Sequence, residues 1–196
     1  MVHVRSFRPL LFACLLVGSI AAFCSIFAQP MIIYNATDSL PHGFYWVIKQ
    51  QTYERGQLVA FPVPRQVKKL VTERGWLRLN GYLIKPVAAK TGDHMWIKCG
   101  QAFVNGMPFG AIKKKDRQGL PLPSIVFYDT LSAGKIAVLQ CGDDSFDSRY
   151  FGSIDEKDII GRAVPIWLVY TENSKPLRMV NIQESYVQKK DNGSAR

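Results

Sequence analysis

The chain has 196 residues, 47% hydrophobic, 12% aromatic and 20% charged, a composition that can bury a core and is not that of a disordered polymer. Fifteen glycines, four cysteines and the lack of a self-similar period exclude collagen-like, disulfide-scaffold and repeat architectures. Of the ten excess positive charges, two lie in residues 1–8 and two in residues 172–196; the six between them favour anionic partners without deciding a fold.

No charged residue stands between Pro9 and Thr37. Pro9–Ala28 gives about 20 mostly apolar positions, enough to cross ~30 Å of hydrocarbon as a helix. Arg5 and Arg8 precede it and no Lys or Arg follows before Lys49. That asymmetry predicts a cytoplasmic N-terminus over residues 1–8, a transmembrane anchor over 9–28, and everything after Gln29 outside. A cleaved leader is the rival reading. The run is long for a leader, however, and Cys24-Ser-Ile-Phe-Ala-Gln-Pro30 offers no A-x-A cleavage site, so a retained single anchor is expected. Cys14 and Cys24 read as small hydrophobes within it. Cys99 and Cys141 fall in the exported part, where an oxidising compartment favours a bridge between them over two buried thiols.

Beyond the anchor, short runs rich in Val, Ile, Phe, Tyr and Trp alternate with Gly, Pro, Asn and Asp. Strands are predicted at Gln57–Phe61, Tyr82–Val87, His94–Lys98, Ala102–Phe109, Ser124–Tyr128, Lys135–Gln140 and Ile159–Tyr170. Asn105-Gly106 splits the fourth run as a type I′ hairpin turn. Only Gln66–Arg74 has helical period, with Val67, Leu70 and Val71 on one face and Gly75 as its stop. The expectation is a mostly β, antiparallel, barrel-like domain over about residues 32–171. Lys113–Lys115, Arg117, Pro121 and Pro123 mark a mobile basic loop, and residues 172–196 a polar, flexible tail.

Three stretches can carry chemistry. Ser39 sits in Asn35-Ala-Thr-Asp-Ser-Leu-Pro-His-Gly-Phe-Tyr45, turn-forming residues that by themselves predict a surface turn. Lys85 stands alone in the apolar run Tyr82–Ala89. Burial disfavours its ammonium form, so it can serve as a base near neutral pH, and a lysine amine beside a serine hydroxyl activates a nucleophile without histidine. An edge-strand lysine with its head in water is the alternative. In Gly142–Gly152, Ser145, Asp147 and Arg149 alternate and share a face if the chain is extended; a buried ion pair backed by a hydroxyl orients a base well, while a solvated loop is the plain reading. Of the histidines, His42 and His94 have no metal-ligand spacing, so no metal is expected. A triad of Ser39, His94 and an aspartate has nothing in its spacing to favour it.

Ser-Leu-Pro-His-Gly-Phe-Tyr (39–45), Tyr-Leu-Ile-Lys-Pro-Val-Ala-Ala-Lys-Thr-Gly-Asp (82–93) and Ser-Phe-Asp-Ser-Arg-Tyr-Phe-Gly (145–152) resemble, in that order, the three boxes of the type I signal peptidase superfamily. The pattern Thr37-x-Ser39-x-Pro41-x-Gly43-x-Tyr45 resembles the TraF-type conjugal-transfer peptidases in particular, as do Glu73-Arg-Gly-Trp76 and Asp116–Pro123. The resemblance implies a signal-peptidase-like β domain in the periplasm over residues 29–171, with Ser39 as nucleophile, Lys85 as general base and Asp147 as a third required residue. It implies an oxyanion hole from the Ser39 N–H and the Thr37 hydroxyl, Ser145 on the Lys85 amine with Arg149 in support, and no cofactor. One departure stands out: Pro86 follows the lysine where the family has Arg, which removes a strand donor and predicts an edge strand. Lys90 is the fallback base, although its neighbours Thr-Gly-Asp read as a turn.

Three functions follow from these features. The first is an inner-membrane Ser/Lys endopeptidase that matures an exported prepilin of a conjugation or type IV secretion system, ending in hydrolysis or in acyl transfer to a cyclic pilin. The second is a general type I signal peptidase removing leader peptides. The third is an inactive anchored scaffold or basic nucleic-acid-binding domain. Nucleic acid is not expected as a partner, because Lys113–Lys115 is one short run without interleaved aromatics.

Overall fold

The computed structural model describes residues 8–26, 32–77, 81–125, 128–140 and 145–169. The chain divides between residues 31 and 32 into two units. In the first, α1 (Arg8–Ile26) occupies 19 residues, and its Leu11, Phe12, Leu15, Leu16, Val17 and Ile20 are exposed. Among the described residues no helix is long and apolar enough to cross a membrane. The expected span, residues 9–28, runs two residues past α1 into positions that are not described.

The second unit is built on antiparallel strands: β1 (Ile32–Asn35), β2 (His42–Ile48), β3 (Leu58–Pro62), β4 (Tyr82–Ala89), β5 (His94–Lys98), β6 (Gln101–Val104), β7 (Met107–Ala111), β8 (Tyr128–Thr130), β9 (Lys135–Val138), β10 (Ile154–Asp155) and β11 (Gly161–Val169). They form a seven-stranded sheet in the order β1-β2-β11-β3-β4-β9-β10 and a four-stranded sheet in the order β7-β6-β5-β8. The expected barrel-like closure is not present: the larger sheet is open and ends on β1 and β10. Two helices accompany it, α2 (Arg65–Glu73) and the single turn α3 (Ser148–Phe151). α2 buries Val67 and Val71. It ends where Gly75 takes φ +64° and the Trp76 N–H bonds back to the Val71 carbonyl at 3.1 Å.

β3 and β4 lie inside the sheet and are buried on both faces, which is why β4 reads as one apolar run. Val59, Phe61, Leu83 and Val87 enter a core with Val67, Ile136, Val138 and Phe151. Leu58, Ala60 and Ile84, on the opposite face, join Ile33, Leu40, Tyr45, Val47 and Ala163. Lys85 alternates with Leu83 and Val87 and so belongs to the first face.

Pro86 is therefore not on an edge. β4 pairs with β3 through Leu58–Pro62 and with β9 through Val87 and Ala89. The Val87 N–H donates to the Gln57 carbonyl on the β3 side, so the ring nitrogen of Pro86 faces β9. On that side β9 pairs with β4 only from Val87 onward, through a bulge, and the Pro86 carbonyl accepts the Leu139 N–H at 3.2 Å. The missing donor lands where the ladder is already interrupted.

Other differences have local causes. β1 and β2 were not expected, because Pro41 and Gly43 mask the alternation in His42–Ile48. Gly43 adopts φ +137°, and any Cβ there would collide with the Trp167 carbonyl, at a bulge in β11. The strand expected at Ser124–Tyr128 begins instead at Tyr128, and residues 126–127 are not described. Asn105 and Gly106 both have positive φ, as a type I′ hairpin requires. Cys99 is a free, exposed thiol, which corrects the expected bridge; Cys141 lies outside the described residues, as does the tail from 172 onward.

Candidate active site

The first box folds around a buried asparagine. Asn35, at the end of β1, shares its amide hydrogens among the carbonyls of Thr37, Leu40 and Pro41 at 3.1, 3.2 and 3.1 Å. Its Oδ1 accepts the Thr37 N–H at 3.2 Å and the Thr37 hydroxyl at 2.7 Å. Tyr45, fully buried on β2, donates its hydroxyl to the Pro41 carbonyl at 2.9 Å and fixes the exit of the turn. Ser39 is carried on this turn, 6% exposed, with its Oγ 3.3 Å from the Thr37 Oγ1. Since the single Thr37 hydroxyl proton goes to Asn35, the Ser39 hydroxyl is the donor of that pair.

The lysine comes from the middle of the sheet. Lys85 is 3% exposed and donates from Nζ to the Ser145 Oγ at 2.9 Å. Ser145 is held from behind. The Asp147 carboxylate caps α3 by accepting the Arg149 N–H at 3.1 Å, and it pairs with the Arg149 side chain at 2.9 Å (Nε) and 2.8 Å (Nη2). The same carboxylate accepts the Gln140 N–H at 3.1 Å, while Arg149 Nη2 reaches the carbonyls of Gln140 and Ser145. The Ser148 Oγ accepts the Val138 N–H at 2.9 Å. These bonds clamp the Ser145–Arg149 segment to the end of β9.

Ser39, Lys85, Thr37 and Ser145 line one cavity of about 360 Å³. Val71, Trp76, Leu77, Leu83, Leu122 and Phe146 supply its apolar wall. Trp76 meets Phe146 edge-on at 5.1 Å and Phe146 stacks on Tyr150 at 5.3 Å. Burial raises the Tyr150 phenol above its ordinary pKa, although the Lys113 N–H bonded to it pulls the other way. Asp147 and Arg149 have no exposed surface and do not line the cavity; they stand behind Ser145. Lys90 lies elsewhere, in a turn closed by the Asp93 N–H on its carbonyl, with its amine on Glu54 at 2.8 Å. His42 pairs with Asp38 at 3.1 Å, and His94 contacts Thr130 on the surface. Among the described residues no group of three His, Cys, Asp or Glu could hold a metal ion.

The expected mobile basic loop is instead pinned. The Asp116 Oδ1 accepts the N–H groups of Gln118 and Leu120 at 2.9 Å each, and its Oδ2 pairs with Arg74 at 2.7 Å. Arg74 also donates to the Pro121 carbonyl and lies over the Trp76 ring at 5.2 Å. Asn35 and this Arg74–Asp116 pair were not singled out as functional from sequence. An Asn two residues before a hydroxyl is a turn signal that could have flagged the first; no local pattern joins Arg74 to Asp116, 42 residues away.

Residues 4–168 match the family described as signal peptidase, peptidase S26. Two plasmid transfer proteins TraF from Escherichia coli are similar to this chain. One is 35% identical over 144 residues, 67% of this chain and 80% of the relative; the other is 33% identical over 147 residues, 68% and 82%. A signal peptidase I of Enterococcus faecalis V583, known from its crystal structure, is 18% identical, with 58% of this chain and 98% of that one covered at a TM-score of 0.35. A family match from residue 4 to residue 168, with relatives a third identical over four fifths of their length, makes this chain a member of the signal peptidase family, peptidase S26.

Proposed function

We propose that the protein is a Ser/Lys endopeptidase, held in the inner membrane by residues 9–28 with its domain in the periplasm, that matures an exported prepilin of a conjugation or type IV secretion system. The observation that carries the chemistry is a buried lysine, oriented by Ser145, lining the same cavity as Ser39. The absence of charge from Pro9 to Thr37 supports the anchor, and similarity to plasmid transfer proteins supports the conjugation setting.

In this reading the neutral Lys85 amine takes the Ser39 proton as Oγ attacks the scissile carbonyl. The oxyanion is met by the Ser39 N–H and by the Thr37 hydroxyl once it turns from Asn35. Collapse expels the leaving amine, which receives its proton from Lys85, and leaves Ser39 acylated. Water then releases a free carboxylate, or the substrate's own N-terminal amine closes a ring. Asp147 and Arg149 are positioning residues that act through Ser145.

Co-expression of the full chain with candidate prepilins from the same genetic element tests this. Processing should vanish with Ser39→Ala, and a product lighter than the linear chain by one water marks ring closure. Wild-type turnover in Ser39→Ala would overturn the nucleophile; processing of unrelated leader-bearing proteins would favour a general signal peptidase.

A further inference from the structure

The cavity has a second wall that the chemistry above does not use. The chain from Lys113 to Leu122 is fixed by the partly buried Arg74–Asp116 pair, by the Leu122 N–H on the Lys114 carbonyl at 2.8 Å, and by the Lys113 N–H on the Tyr150 hydroxyl at 3.0 Å. Lys113, Lys115 and Arg117 from this chain line the cavity mouth. Among the described residues the two acids that line the cavity are already engaged: Asp116 with Arg74, and Asp38 with Arg117 at 2.8 Å and His42 at 3.1 Å. Lys115 is exposed and makes no ion pair among the described residues. The mouth thus presents the Lys115 cation above the apolar floor of Trp76, Leu122 and Phe146, and Ser39 lines the same space.

We propose that this mouth reads a carboxylate on the substrate: the peptide offered to Ser39 places an apolar side chain on the floor and an adjacent Asp, Glu or terminal carboxylate against Lys115. The proposal rests on the peptidase reading and adds the substrate class. Charge complementarity argues for the carboxylate, and the apolar floor of a cavity of only about 360 Å³ argues for a side chain over a nucleic acid strand.

The test uses full-length Ser39→Ala protein in nonionic micelles and three fluorescent peptides carrying Leu beside Glu, Gln or Lys, with affinity read by anisotropy. One exposed ion pair is worth up to about fivefold, so the Glu peptide should bind up to about fivefold more tightly than its Gln isostere, with the difference lost in high salt. Adding Lys115→Glu, an exposed change that leaves the fold intact, should reverse the order so that the Lys peptide binds best. Equal or unmeasurable binding of all three, or an order unchanged by Lys115→Glu, overturns the proposal. So does a Lys115→Glu variant that loses affinity only for phosphatidylglycerol vesicles, which would assign the mouth to lipid. Cleavage by the Ser39 protein is scored separately. Charge preference without processing of any co-expressed prepilin sinks the peptidase reading and leaves a carboxylate-binding mouth, and prepilin processing without charge preference sinks this proposal alone.

Discussion

Replacing Asp147 by Asn changes one atom in a site with no solvent. The Oδ1 position can still accept the Arg149 N–H and Nε–H. The Oδ2 position becomes an NH₂ facing two donors, the Gln140 N–H and Arg149 Nη2, and the guanidinium loses its countercharge at zero exposure. Breaking a buried ion pair in this way costs about 3–5 kcal/mol, a large part of the ~5–15 kcal/mol that holds a domain. Urea unfolding of the purified full chain, followed by tryptophan fluorescence, should show that loss. Processing should fall mainly in kcat, because Ser145 no longer holds the Lys85 amine. Removing both charges, as Asp147→Leu with Arg149→Met, should recover part of the stability but not the rate. If Asp147→Asn stays within about 1 kcal/mol of wild type while processing stops, the carboxylate touches the reaction and the positioning role is wrong.

Lys85→Arg should be as inactive as Lys85→Ala at every pH, because a guanidinium keeps its proton, whereas Lys90→Arg should process within about twofold of wild type. Burial of Lys85 disfavours its charged form, so wild-type activity should rise with pH through a value below the ordinary ~10.4 of lysine; a pH–rate profile that is flat up to that value refutes this. Asn35→Ala strips partners from three carbonyls and from Thr37, and should cost about 2–4 kcal/mol in urea unfolding while abolishing processing. Burial works to raise the Asp93 pKa, but Arg55, the Lys90 N–H and Asn105 outweigh it and hold the carboxyl below its ordinary 3.8. Its contribution is then complete above that value and is lost as pH falls through the lower, folded one. Asp93→Asn should therefore lower stability at neutral pH, and the gap should close in strong acid; unfolding measured at both extremes decides it.

What the sequence made legible was chemistry with a local signature. A lysine inside an apolar run is unusual enough to name, and β4 proved to be a strand buried on both faces. Asn-Gly announced its hairpin because the two left-handed residues it supplies are the ones that turn needs. Strand β2 was hidden by Pro41 and Gly43, whose turn chemistry is real but serves the Ser39 turn and a close approach by β11. Pairing across the sheet placed Pro86 inside, and no single-strand pattern carries that information. The Arg74–Asp116 pair escaped for the same reason. The stretches that hold the two residues resemble TraF, but nothing in either one says that they meet at 2.7 Å.

The position of Pro86 has a consequence for how the domain reaches its native state. In register, Lys85 faces Val59 and Pro86 faces Leu58, with the Val87 N–H spent on β3. A slip of one residue would ask Pro86 to donate to β3, which it cannot do. A buried carbonyl would be stranded at about 1–3 kcal/mol, and Lys85 would turn into the core of Tyr45, Leu58 and Ala60 in place of Ile84. A slip of two residues would keep the face but carry the amine about 7 Å from Ser145. The imino ring beside the lysine therefore penalises the nearest misfolded pairing most heavily, and that pairing is one in which the chain would be compact, apolar inside and without a base. Folding fidelity and the proposed base are then secured by neighbouring residues on one strand.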